Sequence, residues 1–197
     1  MSVVGLLFIS CAGDTKNTMT VNGSIKGLKK GTLYLQQLQD TILKNIDSLE
    51  IKGNGDFSFK TEVASPDIYY LYLVKNDNND INDRITFFGE PGNITVETSW
   101  DSFDFAATVK GSATNDSLTI DSLIKLEDKN IYRSYAYALN FALNNKDSYV
   151  APYIAVVEVA NANVKYLDSI HKMLTPEVAS SKYGMQLKKH LEEVKKE

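Results

Sequence analysis

The sequence predicts an α+β fold: an antiparallel β-sandwich or partly closed barrel of about seven or eight strands, followed by a C-terminal α-helical segment. Apolar residues recur with a period near two from Thr18 to about Val109, turn residues punctuate that stretch, and beyond Lys110-Gly111-Ser112 the period lengthens to between three and four. At the same point β-branched runs give way to Leu, Ala, Lys and Glu, whose side chains lose little rotamer freedom in a helix.

Along the strand-rich part, the alternation changes phase between Ile46 and Leu49, so Ile46 and Leu49 to Ile51 share one face only through a bulge or a twist. Gly53-Asn54-Gly55 tolerates positive φ and reads as a hairpin turn before Phe57 and Phe59, which alternate with Asp56, Ser58 and Lys60. Ile68-Tyr69-Tyr70-Leu71-Tyr72-Leu73-Val74 is apolar or aromatic throughout, which predicts a central strand covered on both faces. Glu90-Pro91-Gly92-Asn93 reads as a second hairpin turn, leading to Ile94 and Val96 in alternation with Thr95 and Glu97. Phe103, Phe105 and Val109 are expected on one face of a last strand.

In the helical part, helices are expected over 115–126 and 132–144. Three amphipathic stripes follow: Tyr149, Tyr153, Val156 and Ala160; Val164, Leu167, His171 and Leu174; Tyr183, Leu187, Leu191 and Val194. Asp147-Ser148 can cap the first, Thr175-Pro176-Glu177 reads as N-cap, N1 proline and first-turn acid, and Ser180-Ser181 can cap the last helix. The resulting division is 1–16, a signal-peptide remnant, lipobox and tether; 17–111, the β-sandwich domain; and 112–197, the helical domain.

A chain of 197 residues holds one sizeable core or two small ones. A mean hydropathy of -0.23 excludes a multi-span membrane protein. The net charge of -4, with lysines clustered only at Lys29-Lys30, Lys188-Lys189 and Lys195-Lys196, supplies no concentrated basic face, so no nucleic-acid partner is expected. Cys11 is the only cysteine, which excludes an intrachain disulfide and a Cys-x-x-Cys redox pair.

Candidate chemistry is sparse. Asn76-Asp77-Asn78-Asn79-Asp80-Ile81-Asn82-Asp83 offers oxygen ligands for a hard cation such as calcium, but it lacks the turn glycine and the late bidentate Glu of an EF-hand and reads better as an Asx-rich turn. His171 and His190 have no second ligand at metal-binding spacing, and His171 reads as a partly buried member of its stripe. No serine stands in a Gly-x-Ser-x-Gly or Ser-x-x-Lys context, and no Gly-rich phosphate loop occurs. Tyr132, Tyr135, Tyr137 and Phe141, with Trp100, can make a binding surface or pack between the two halves. The residues therefore assign no catalytic, cofactor-binding or metal site.

At the N-terminus, the uncharged run Val3-Val4-Gly5-Leu6-Leu7-Phe8-Ile9 breaks at Ser10-Cys11-Ala12-Gly13 and leads into polar residues from Asp14 to Asn17. This resembles the end of a signal peptide, and Phe8-Ile9-Ser10-Cys11 resembles a lipobox, with Phe8 in place of the usual Leu and no Lys or Arg ahead of the run. Lipidation at Cys11 would tether the chain to a membrane. The alternative is a buried strand with an inert core thiol.

Ile46-Asp47-Ser48-Leu49-Glu50-Ile51-Lys52-Gly53-Asn54-Gly55-Asp56-Phe57-Ser58-Phe59, then Glu90-Pro91-Gly92-Asn93-Ile94, then Lys110-Gly111-Ser112-Ala113-Thr114-Asn115, resembles a domain family of unknown function. That family commonly forms the N-terminal module of thioredoxin-like lipoproteins of the Gram-negative envelope. The resemblance runs from about Met19 to Gly111, and the helical part looks like the linker that precedes a thioredoxin domain. Such relatives continue past a segment like Leu187 to Lys196 into a domain carrying catalytic cysteines; the sequence to Glu197 holds none of it, so the resemblance transfers no catalytic residue.

The expected function is that of a non-catalytic envelope lipoprotein, anchored through Cys11 and facing the periplasm, which binds or scaffolds a periplasmic protein partner and uses no cofactor. One alternative makes the chain an accessory part of a thiol-disulfide oxidoreductase whose thioredoxin domain is truncated or on a separate chain. A second makes it a glycan-binding module.

Overall fold

The computed structural model describes residues 17–39, 42–74, 83–112, 114–115 and 131–196. Cys11 with the apolar run before it, residues 76–82 of the Asx-rich loop and the helix expected over 115–126 beyond Asn115 lie outside these residues.

Among the described residues eight strands form two four-stranded sheets. They are β1 (Thr18–Lys26), β2 (Lys30–Gln39), β3 (Ile42–Lys52), β4 (Asp56–Glu62), β5 (Asp67–Val74), β6 (Arg84–Gly89), β7 (Gly92–Ser99) and β8 (Thr108–Lys110). One sheet has the order β4-β1-β7-β8 and the other β3-β2-β5-β6, an open sandwich rather than a closed barrel. The expectation of a wholly antiparallel structure fails at one place, where β1 and β7 pair in parallel from Met19 opposite Gly92 to Lys26 opposite Ser99. Strands so far apart in sequence meet through sheet-to-sheet crossings, and no local signal sets their relative direction.

The two turns expected as hairpins are such crossings. Gly53-Asn54-Gly55 carries the chain from β3 in one sheet to β4 in the other, and Glu90-Pro91 carries it from β6 to β7. Gly55, at φ 85°, shows why the residue type is demanded: a β-carbon there would lie 2.2 Å from the Ile25 carbonyl oxygen. Turn chemistry reports that the chain reverses, but not which sheet it joins afterwards.

The phase change in β3 is a bulge. Leu35 faces Asp47 while Gln36 faces Asn45, so Ile46 is the extra residue that lets Ile46, Leu49 and Ile51 all pack against the inter-sheet core. That core also takes Val21, Phe59, Leu71, Phe87 and Ile94. The expected face of Phe103, Phe105 and Val109 does not form: 101–106 is a turn that buries Phe103 and leaves Phe105 77% exposed.

Among the described residues the helices that pack on the sheet β3-β2-β5-β6 are α1 (Ile131–Asn144), α2 (Val150–Tyr153), α3 (Val164–Met173), α4 (Pro176–Ala179) and α5 (Lys182–Val194). The stripe through Tyr153, Val156 and Ala160 is not one regular helix, because α2 runs into a π-helical turn at Ile154–Glu158, closed by Val159 N–H donating to the Ile154 carbonyl at 3.0 Å. Tyr149 is the N-cap of α2 instead of Asp147-Ser148, although the Ser148 hydroxyl accepts the Val150 N–H at 3.3 Å. Thr175 and Ser181 cap α4 and α5 as expected, and Asn163, unmarked beforehand, caps α3.

The helices supply the second cover that β5 needs. Tyr69, Leu71 and Leu73 enter the inter-sheet core, whereas Ile68, with Phe88 of β6, joins a second core with Val150, Ile154, Leu167, Ile170, Leu187 and Leu191, and Tyr70 packs against it. The two halves thus share the sheet β3-β2-β5-β6, one core on each face.

Candidate functional site

The expected aromatic surface is not brought together. Tyr135 and Phe141 pack against the helical core and Tyr137 is exposed, while Trp100 follows β7 and lines a separate shallow cleft with Lys30 and Val74. Nothing is described of the Tyr132 side chain. His171 is half-buried in α3, and the His190 ring nitrogen lies 3.0 Å from the Ala160 carbonyl oxygen, joining α5 to the segment after the π-turn. Asp83 of the Asx-rich loop is buried, and its backbone carbonyl accepts the Leu73 N–H at 3.0 Å. Among the described residues no group of three or more His, Cys, Asp and Glu side chains is placed to hold a metal ion.

The structure instead builds a cleft of about 650 Å³ where the ends of β2 and β5 meet α5 and the π-turn. Its volume falls in the range of small-ligand sites. Alternation along the strands lets it draw on both faces of the sheet: Gln37, Asp67 and Tyr69 come from the inner face, Leu38, Ile68 and Tyr70 from the outer one. The helical side contributes Tyr153, Val157, Lys182, Tyr183 and Gln186.

Asp67, 5% exposed, organises this junction. Its Oδ1 accepts the Ile68 N–H at 2.8 Å and the Tyr183 hydroxyl, and its Oδ2 accepts Lys182 Nζ at 2.5 Å and Gln37 Nε2 at 3.1 Å. A carboxylate offers about four lone-pair sites, and here four donors fill them. The Lys182 N–H donates in turn to Ser65 Oγ at 2.9 Å, so the first turn of α5 is tied to the sandwich by backbone as well as side chain. Gly184 lets α4 close on the first turn of α5, since a β-carbon there would stand 2.3 Å from the Val178 carbonyl oxygen.

Burial dominates the titration of the phenols. It pushes Tyr69 up to about 12, helped by the nearby Asp67 charge, and raises Tyr70 for the same two reasons. Tyr183 is raised further, by burial and then by donating to Asp67; Tyr153 is raised by burial and then by Glu158, whose carboxylate accepts its hydroxyl at 3.2 Å. At neutral pH these phenols are therefore protonated donors. The Tyr153 ring meets Tyr183 edge-on at 5.1 Å and Phe88 at 6.3 Å, which fixes it as a wall of the cleft.

A second polar cluster lies at the same end of the sandwich, one strand over, where Phe88 and Gly89 of β6 pair with Ile68 and Asp67 of β5. Asn115, buried, accepts the Phe88 N–H at 3.0 Å and donates to the Phe88 carbonyl at 2.7 Å, pairing with β6 as a neighbouring strand would. Beside it Glu90 accepts the Thr114 N–H at 3.4 Å and the Thr114 hydroxyl at 3.2 Å. Phe88 and Glu90 are thus partners in space of Thr114 and Asn115.

No sequence pattern marked the cleft. Asp67 follows Pro66 and resembles a turn residue, and Lys182 lies 115 positions away on what reads as a helix surface. Residues 19–118 match the family described as a domain of unknown function (DUF4369). No curated protein matches the chain.

Proposed function

The chain belongs to the DUF4369 family, and from that premise we propose that it is a non-catalytic binding module whose site is the cleft between sandwich and helices. One observation carries the reading: the buried carboxylate of the cleft accepts four donors from β2, β5 and α5, so its lone pairs are committed to holding the walls of the cleft together. The matched segment supplies Gln37, Asp67 and Tyr70, while Tyr153, Lys182 and Gln186 lie outside it, so the site depends on the helices added to the family domain.

Lipidation at Cys11 would hold this module at the cell envelope, facing the periplasm, where it binds or scaffolds a periplasmic partner. The support is the apolar run ending at Ser10-Cys11-Ala12. Incorporation of labelled fatty acid that disappears in Cys11→Ser tests the anchor. The resemblance to modules of thioredoxin-like lipoproteins supports a second reading, in which the partner is a thioredoxin-like protein on the same or a separate chain. Coding sequence for a Cys-x-x-Cys thioredoxin domain in frame with or beside this one is expected on that reading, and unrelated neighbours count against it.

The binding reading is tested with a photo-crosslinking residue placed in living cells at Leu38 or Val157 on the cleft rim, and at Lys44 or Glu97 as controls. A discrete adduct confined to the rim positions is expected. Equal labelling at all four positions, or none anywhere, overturns the reading.

A further inference from the structure

The internal chemistry of the cleft narrows its ligand. Its buried carboxylate, Asp67, and its cation, Lys182, compensate one another at 2.5 Å, and the further charged group in the lining is the exposed carboxylate Glu62, so the cleft offers no unpaired cation to a phosphate or an acidic peptide. Of the strands that reach the cleft, β2 and β5 are interior to their sheet, and the edge strand β4 reaches it only through its last residue, Glu62, so an extended peptide finds little strand edge there for main-chain pairing. What the cleft does present is side-chain amides and phenols. Gln37 is shared between Asp67 and Gln39, Gln186 is exposed, and the half-buried Tyr70 lines the cleft together with Tyr153, with no hydrogen-bond partner for its hydroxyl among the described residues.

Amides and phenols both donate and accept, as the hydroxyls of a sugar do, and aromatic rings offer apolar faces to the C–H side of a pyranose. We infer that the cleft binds a neutral, hydroxyl-rich oligosaccharide segment, with Tyr70 and Tyr153 as the stacking wall and the glutamines on its hydroxyls. This rests on the cleft being the binding site, and it names the ligand class.

The test is a titration of the full chain with chitotetraose, maltotetraose and cellotetraose, following the side-chain amide resonances of Gln37, Gln39 and Gln186 and the Trp100 indole as a remote control. At least one sugar at millimolar concentration is expected to shift the three glutamine amides and leave Trp100 unmoved. Gln186→Ala, at an exposed position, is expected to weaken binding about ten-fold without unfolding the chain, and Tyr70→Phe to weaken it less, because the ring remains. Glutamine shifts with decaproline but with no sugar, a response confined to Trp100, or no response to any sugar each overturn the inference. If rim crosslinking still yields an adduct in those cases, the binding reading stands and only the ligand class falls.

Discussion

The two faces of the sheet β3-β2-β5-β6 are covered by different physics. Between the sheets, Val21, Leu33, Phe59, Leu71, Phe87 and Ile94 interlock as a nearly all-apolar layer, whose cohesion is proportional to area and indifferent to direction. On the outer face the apolar contacts of Ile68 and Phe88 with Ile154 and Leu187 are joined, at the strand end that α5 reaches, by the bonds of Asp67 and Ser65 to Lys182 and Tyr183, which have fixed geometry. The difference teaches that burial holds the sandwich together while buried polar bonds decide where the helices sit on it, and hence the shape of the cleft.

The largest effect is expected from breaking the apolar layer. Phe87→Ala empties a fully packed site and should cost about 3–5 kcal/mol, read as a lower denaturant midpoint for the whole chain because the sheet carries both cores. Asp67→Ala sharpens the comparison: it strands Lys182 and Tyr183 at the junction and should cost about 2–3 kcal/mol, less than a fully buried pair because the Lys182 side chain is 38% exposed. Hydrogen exchange should then quicken in α5 and the π-turn and stay slow in β1, β2 and β5. Equal acceleration in both regions would erase the distinction.

Asn115→Ala leaves the Phe88 N–H and carbonyl without their side-chain partner and should cost about 2 kcal/mol, with faster exchange at Phe88 as the local sign. The smallest effect is set by pH. Tyr69 titrates at about 12 in the folded chain, above its unfolded value of about 10, so its contribution is complete below pH about 10 and is lost as pH rises towards 12. The loss between pH 10 and 11 should be about 1 kcal/mol for this one tyrosine. A Tyr69→Phe chain should show a shallower alkaline decline in denaturant midpoint.

Much of the fold was legible because its causes are local. Alternation exposed β4 and β7, the phase slip after Ile46 called for a bulge or a twist and proved a bulge, the unbroken apolar run of β5 required a second cover, and Thr175-Pro176 and Ser181 marked helix starts that the structure keeps. The parallel pairing of β1 with β7 and the crossings at Gly53 and Glu90 were not legible, since positive-φ turn residues serve a hairpin and a sheet switch alike. Phe105 carried a strand pattern into a turn, where only the placement of Phe103 is constrained by burial. The cleft was the least legible feature, because Asp67 and Lys182 each look ordinary in their own segment and gain their role by meeting across 115 positions.

The account turns on the junction cluster acting as one unit that sets α5 against β5. A double-mutant cycle on Asp67→Ala and Tyr183→Phe, followed by denaturant unfolding, tests it most directly. The two residues are expected to couple by about 1–3 kcal/mol; effects that add to within about 0.3 kcal/mol would show the helices to be placed by apolar packing alone.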